Sequence, residues 1–345
     1  MPQTSTVNRR YVLAQRPLGE PDGETLRLEA KPVPSAGPGQ MLLRTQYLSL
    51  DPYMRGRMSA APSYAAPVQI DDVTVGGTVA QVVESQVEGF AAGDWVLSSN
   101  GWQDYALSDA KGVAPLGPNP EHPSWALGIL GMPGFTAWAG LKQIGAPKPG
   151  ETLCVAAATG PVGATVGQIG KLLGCRVIGV AGGPEKCDHA VSTLGFDVCL
   201  EHKSADFADQ LKAAAPQGID IYFENVGGKV FDAVLPLLNT NARVPVCGLV
   251  SQYNATALPE GPDRLSLLMG DILRKRLTVR GFIIFNDFGH LYRDFAAEMT
   301  GWLADGKMQY REEIIDGLEN APQAFVGMLR GENFGKRVIR VGPAG

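Results

Sequence analysis

A short glycine-bearing stretch, Ala156-Ala157-Ala158-Thr159-Gly160-Pro161-Val162-Gly163, follows the apolar run Thr152–Val155 and precedes a small-residue helical pattern, Thr165–Leu173. Strand, glycine turn and helix in that order build a cradle for a dinucleotide pyrophosphate. Gly160 permits the tight turn, Gly163 lets the helix approach the strand, and the helix N-terminus directs N–H groups at phosphate. The first glycine of the common fingerprint is replaced by Ala157. The next apolar run ends Val180-Ala181-Gly182-Gly183, without the carboxylate that binds a ribose 2′-hydroxyl, and Glu185 follows beside Lys186. A missing acid and a lysine within reach favour a 2′-phosphate, hence NADPH. An ordinary solvated lysine on a first helical turn explains Lys186 equally well from these residues alone.

The elements that must position this stretch form two patterns. Up to about Trp125 the chain reads as a β-rich module. Short runs (Met41–Leu48, Val73–Val83, Trp95–Leu97) are separated by turns such as Gly37-Pro38-Gly39 and Gly93-Asp94. Ala126–Ile144 reads as helical, with a break at Gly131–Gly134. From Glu151, strands near Leu153, Arg176–Ala181, Val198–Leu200, Ile219–Glu224 and Arg243–Gly248 alternate with helical patterns over Glu185–Leu194, Phe207–Ala215 and Lys229–Leu238. Such alternation marks a parallel, doubly wound sheet. Leu277–Ile284 is a further strand candidate, His290–Asp305 a helix, and Lys336–Val341 a strand expected to rejoin the β-rich module. The expected fold is α/β, a Rossmann-type sheet over 129–299 beside a β-rich domain built from 1–128 and 300–345.

Composition narrows the function classes. The 345 residues carry a formal charge of −5, which disfavours a nucleic-acid binder. No apolar run is long enough to span a bilayer, and the N-terminus lacks a secretory h-region. The five cysteines (Cys154, Cys175, Cys187, Cys199, Cys247) form no C-x-x-C pair, and the four histidines are scattered, so no metal site is expected. Reduced, mostly buried thiols suit a cytoplasmic protein.

Six stretches, in order along nearly the whole chain, carry a resemblance: Tyr47–Met58 (YLSLDPYMRGRM), Gly131–Ala137 (GMPGFTA), Ala157–Gly163 (AATGPVG), Glu224–Gly228 (ENVGG), Cys247–Asn254 (CGLVSQYN) and Asn333–Lys336 (NFGK). The chain resembles the zinc-independent medium-chain dehydrogenases/reductases, in the prostaglandin reductase and alkenal double-bond reductase branch. The resemblance implies a GroES-like substrate module, a Rossmann domain and NADPH. Carried over by position, it places Gly160, Pro161, Val162 and Gly163 at the pyrophosphate and Lys186, just past Gly183, at the 2′-phosphate. It places Asn225, Cys247, Tyr253 and Asn333 along the cofactor, with Met132, Thr136 and Phe282 to Ile284 near the nicotinamide. Where the family has Asn-Tyr-Lys after the third strand, this chain has Glu201-His202-Lys203, which leaves open whether His202 takes over the tyrosine's contact.

Reduction of an activated C=C bond needs hydride at the β-carbon and a donor for the developing enolate oxygen. A neutral phenol can be that donor. Tyr253 is the first candidate, since it follows a strand end at the ligand-binding edge of a doubly wound sheet, and the matching tyrosine in the related reductases lies by the substrate oxygen. Tyr53 and Tyr64 are the others, on a Pro-, Met- and Tyr-rich stretch suited to walling a flat ligand. For either of these two, a buried tyrosine with a merely satisfied hydroxyl is an equal alternative. Arg55 and Arg57 are expected to hold that stretch through an ion pair. The expected activity is NADPH-dependent reduction of enones and enals of the curcumin type. Quinone reduction and a catalytically inactive NADPH-binding protein are the alternatives. The resemblance also implies a homodimer, joined through Leu277–Ile284.

Overall fold

The computed structural model describes residues 6–258 and 261–342. The chain divides into two compact units, one of residues 1–128 with 312–345 and one of 129–311. The first unit opens with the antiparallel pair β1 (Val7–Leu13) and β2 (Leu26–Pro32). Its main sheet contains β3 (Met41–Ser49), β4 (Thr78–Ser85), β5 (Trp95–Ser98), β6 (Tyr105–Ser108) and β7 (Ala114–Gly117). The second unit supplies β8 (Thr152–Ala156), β9 (Arg176–Ala181), β10 (Val198–Glu201), β11 (Ile219–Phe223), β12 (Leu238–Val246) and β13 (Thr278–Gly281). The chain then returns to the first unit as β14 (Glu312–Asp316) and β15 (Lys336–Arg340).

The second unit's sheet is parallel throughout, in the order β10-β9-β8-β11-β12-β13. That is the doubly wound order, in which ligands bind beyond the carboxyl ends of the strands where the winding reverses, here between β8 and β11. The central strands read as continuous apolar runs because helices cover both faces; Leu153, Cys154, Val155 and Ala156 are wholly buried. In the first unit the sheet runs β14-β15-β3-β4-β5-β7, with β6 also paired to β3. Its core gathers Leu48, Met54, Trp102, Phe325 and Ile339, the last two from the returning segment. The tail strand thus rejoins the β-rich unit, antiparallel to β3.

Several boundaries differ from expectation. The return begins at Glu312 rather than 300, because 300 falls inside the helix Tyr292–Ala304, whose Phe295 packs on Phe135 and Trp138 of the second unit. The helix expected over 126–144 is three pieces: a 3-10 turn Pro123–Leu127, a helix Met132–Ala139 and a π turn Gly140–Gly145. The break precedes Met132, since Pro133 is tolerated in a first turn where its N–H would have no acceptor. The helix expected to reach Leu238 stops at Val234, and Leu238 opens β12. The strand expected over 277–284 is only Thr278–Gly281, and Ile284 starts the helix Ile284–Phe288. No helix among the described residues is long and apolar enough to cross a membrane.

Candidate functional site

The glycine turn sits between β8 and the helix Pro161–Leu172, with Gly160 as its N-cap. No side chain caps this helix, and Pro161 fills its first position, so the N–H groups of Val162 and Gly163 head the helix without intrahelical acceptors. They and the helix dipole suit an anion. Gly163 is required by packing: a Cβ there would lie 2.2 Å from the Ala157 carbonyl oxygen. Ala157, in place of the first glycine, adopts φ 53°, a left-handed conformation that costs an alanine about 1–2 kcal/mol. Two bonds hold it there: Ala158 N–H donates to Val180 O at 3.0 Å and Gly160 N–H to Ala157 O at 2.9 Å.

Asn225, two residues past the end of β11, reaches across the switch point, its Nδ2 donating to Ala156 O at 2.8 Å. Beside it Glu224 is almost wholly buried. One of its carboxylate oxygens accepts from Tyr222 OH (3.1 Å), Val226 N–H (2.7 Å) and Gly227 N–H (2.8 Å). Its main-chain oxygen accepts from Cys247 and Gly248. Burial pushes the Glu224 carboxyl above the usual range, against the pull of the Val226 and Gly227 N–H groups. Sequence reasoning assigned Glu224 no role; an acid closing the apolar run Ile219–Phe223 was the signal available.

The 247–253 segment is tied to the same turn, with Val250 N–H donating to Asn225 O and Ser251 Oγ to Val226 O. Tyr253 follows a 3-10 turn, half-buried, and its hydroxyl accepts from Leu249 N–H at 3.4 Å. Burial pushes the Cys247 thiol up to about 12, with Glu224 adding to the effect, which disfavours the thiolate that a nucleophile needs. Thr136 is buried and spends its hydroxyl on Met132 O at 2.7 Å. The Phe282 ring packs edge-on to Phe223, and a Cβ on Gly140 would meet it at 2.6 Å. Phe282 therefore offers a ligand its backbone more than its ring. Ile284 is buried at the start of its short helix.

At the far end, Gly183 takes φ 151° and caps the helix Pro184–Ser192, which carries Lys186 in its first turn. His202 follows β10, and its N–H donates to Ala181 O at 3.1 Å. The structure thus gathers Gly182, Gly183, Lys186 and His202 at the ends of β9 and β10. The corner carries Lys186 and Lys203 together with Glu185 and Glu201.

The remaining candidates lie in the first unit. Tyr53 opens the short helix Tyr53–Arg57; burial, and then the Asp51 charge, push its hydroxyl well above the usual phenol range and keep it neutral. Tyr64 is 56% exposed on an irregular segment. Arg55 donates to Gly19 O and Pro17 O, and Arg57 to Ala66 O, so backbone carbonyls supply clamps for this stretch where an ion pair was expected. Asn333 Nδ2 donates to Gly335 O at 2.9 Å. Lys336, absent from the candidate residues, is 1% exposed and donates to Asp51 Oδ1 and Leu50 O, each at 2.7 Å. Among the described residues no group of three or more His, Cys, Asp or Glu could hold a metal ion.

Residues 9–116 match the family model described as the N-terminal domain of oxidoreductase, and 161–304 the one described as zinc-binding dehydrogenase. The chain is 65% identical to the NADPH-dependent curcumin reductase of Escherichia coli (strain K12), over 99% of each chain. It is 39% identical to prostaglandin reductase 1 of Oryctolagus cuniculus, over 95% of this chain and 92% of that one. The crystal structure of CurA from Vibrio vulnificus in complex with NADPH superposes with a TM-score of 0.95 at 63% identity, covering 97% of this chain and all of the other. The strand order, the capless glycine turn and these likenesses agree: the chain belongs to the medium-chain dehydrogenase/reductase family, in the prostaglandin and alkenal reductase branch.

Proposed function

We propose that this chain uses NADPH to reduce the carbon–carbon double bond of α,β-unsaturated ketones and aldehydes of the curcumin type. The carrying observation is the 65% identity, over 99% of both chains, to a protein named NADPH-dependent curcumin reductase. Bound NADPH would supply the hydride. The chain's own residues do the rest. The N–H groups of Val162 and Gly163 would hold the pyrophosphate, with Gly160 and Pro161 shaping the turn. Lys186 and His202 would hold the 2′-phosphate beyond Gly183. Asn225, Cys247, Met132, Thr136, Phe282, Ile284 and Asn333 would line the cofactor. Tyr253 would donate its hydroxyl hydrogen to the developing enolate oxygen; its place just past the 3-10 turn Val250–Gln252, at the ligand-binding edge of the parallel sheet, supports that role. Tyr53 and Tyr64 are the alternative donors.

A homodimer formed through β13 belongs to the same proposal. Among the described residues the outer edge of β13 has no strand partner in the sheet, and Val279 on it is 39% exposed. Such an edge favours pairing with a second copy. The activity test is NADPH oxidation with curcumin, an enal, an enone and a quinone, each product identified. Saturated ketone or aldehyde is the expected product. Hydroquinone alone would turn the assignment to quinone reduction, and NADPH binding with no turnover to a binding protein.

A further inference from the structure

The corner formed by the ends of β9 and β10 holds a titratable group that a cofactor-lining role leaves unused. His202 is pinned at its backbone by the bond to Ala181 O. A Cβ built on Gly182 would lie 3.3 Å from its Nε2. The imidazole therefore stands next to the position where an NAD-selecting fold carries its carboxylate. The charged groups that bear on it are Lys186 from the helix Pro184–Ser192 and Glu201 and Lys203 from its own strand and turn. The residue keeps an exposed edge, so a ligand can reach the ring.

We propose that His202 is a proton-coupled receptor for the 2′-phosphate: it takes up a proton as the phosphate binds, so affinity for NADP(H), and not for NAD(H), strengthens as pH falls. The inference rests on the NADPH reading above and adds the proton coupling to it. Partial desolvation of the ring, with Lys203 and Lys186 outweighing Glu201, pushes His202 below the ordinary histidine value in the cofactor-free protein. A phosphate dianion beside the ring reverses the sign of the local field and raises that value. The protonated form is then more populated in the complex than in the free protein. Binding takes up a fraction of a proton, and affinity is lost as pH rises through the raised value, by up to about tenfold per pH unit. The phosphate's own second ionisation near pH ~6 opposes this at the acid end, so the coupling shows above that value.

Titration calorimetry with NADP+ near pH ~7, in buffers of low and high ionisation enthalpy, counts the protons. The wild type should show net uptake with NADP+ and none with NADH, and its Kd for NADP+ should tighten several-fold from about pH 8.5 to about pH 6.5. His202→Gln keeps a hydrogen-bond donor but cannot titrate in this range. It should still bind NADP+ while losing both the uptake and the pH slope. NADP+ binding without uptake in the wild type, or equal uptake in His202→Gln, would overturn the coupling and leave the cofactor assignment standing. Failure of the wild type to bind NADP+ or NADPH would overturn both.

Discussion

In the nucleotide-fold unit, the groups singled out for chemistry sit at strand ends and bond to neighbouring strand ends. Asn225 reaches Ala156, Glu224 gathers Val226, Gly227, Cys247 and Gly248, and His202 meets Ala181. In the β-rich unit, some of the anchoring bonds join distant parts of the chain. Lys336 lies 285 positions from Asp51, and Arg9 and Glu319 are 310 apart. The parallel sheet places its site by topology, since every strand's carboxyl end faces the same way. The β-rich unit has no such shared edge. It places Tyr53 by anchoring the short helix Tyr53–Arg57 through Asp51 to a buried lysine from the returning tail.

This contrast implies that defects in the first unit cost stability and defects in the second cost binding or turnover. The largest stability effect is expected for Lys336→Met. It leaves Asp51 buried and, apart from Ser49, without its partner, at about 3–5 kcal/mol for a broken buried pair. Urea unfolding should show it, and a midpoint equal to wild type would remove the anchor from the account. Tyr253→Phe should lower kcat by about 100-fold or more with NADPH affinity nearly unchanged, as for loss of one donor to an oxyanion. A normal kcat would move the role to Tyr53 or Tyr64. Gly163→Ala must displace Ala157. Its kcat/KM should fall about 100-fold, mostly through KM for NADPH, with unfolding destabilised by about 1–3 kcal/mol, less than in Lys336→Met. Loss of fold instead would erase the distinction between the units. Lys186→Ala should raise KM for NADPH by about tenfold, as for one charge-assisted hydrogen bond, and leave KM for NADH unchanged. Equal effects on both cofactors would put Lys186 away from the 2′-phosphate.

Legibility in the sequence followed the same division. The strands from β8 to β11 were readable because each is a continuous apolar run between helical patterns, and the glycine turn because its residue types are demanded by close approach of backbones. Strand β12 was readable only from Arg243 onward. Its first half, Leu238–Ala242, carries a register shift against β11 and a left-handed Asn241, neither of which has a periodic signature. The strand β14 and the helix Ala321–Leu329 were not seen, because the returning segment takes its structure from partners far away in sequence. The carbonyl clamps on Arg55 and Arg57 were not seen for a related reason. Carbonyl acceptors such as Gly19 O belong to the backbone and leave no mark in residue type.

Residue type and spacing by themselves determined the class of the second unit, the position of its glycine turn and the lack of an acid at the end of β9, since each is local in the sequence. The tertiary structure alone decided that Glu224 organises two loops, that the Phe282 ring is committed to packing, that Lys336 closes on Asp51, and that His202 stands against Gly182 beside Lys186. Those outcomes depend on which strand ends and chain segments meet in space. That is set by burial and pairing across the whole fold, and no local pattern records it.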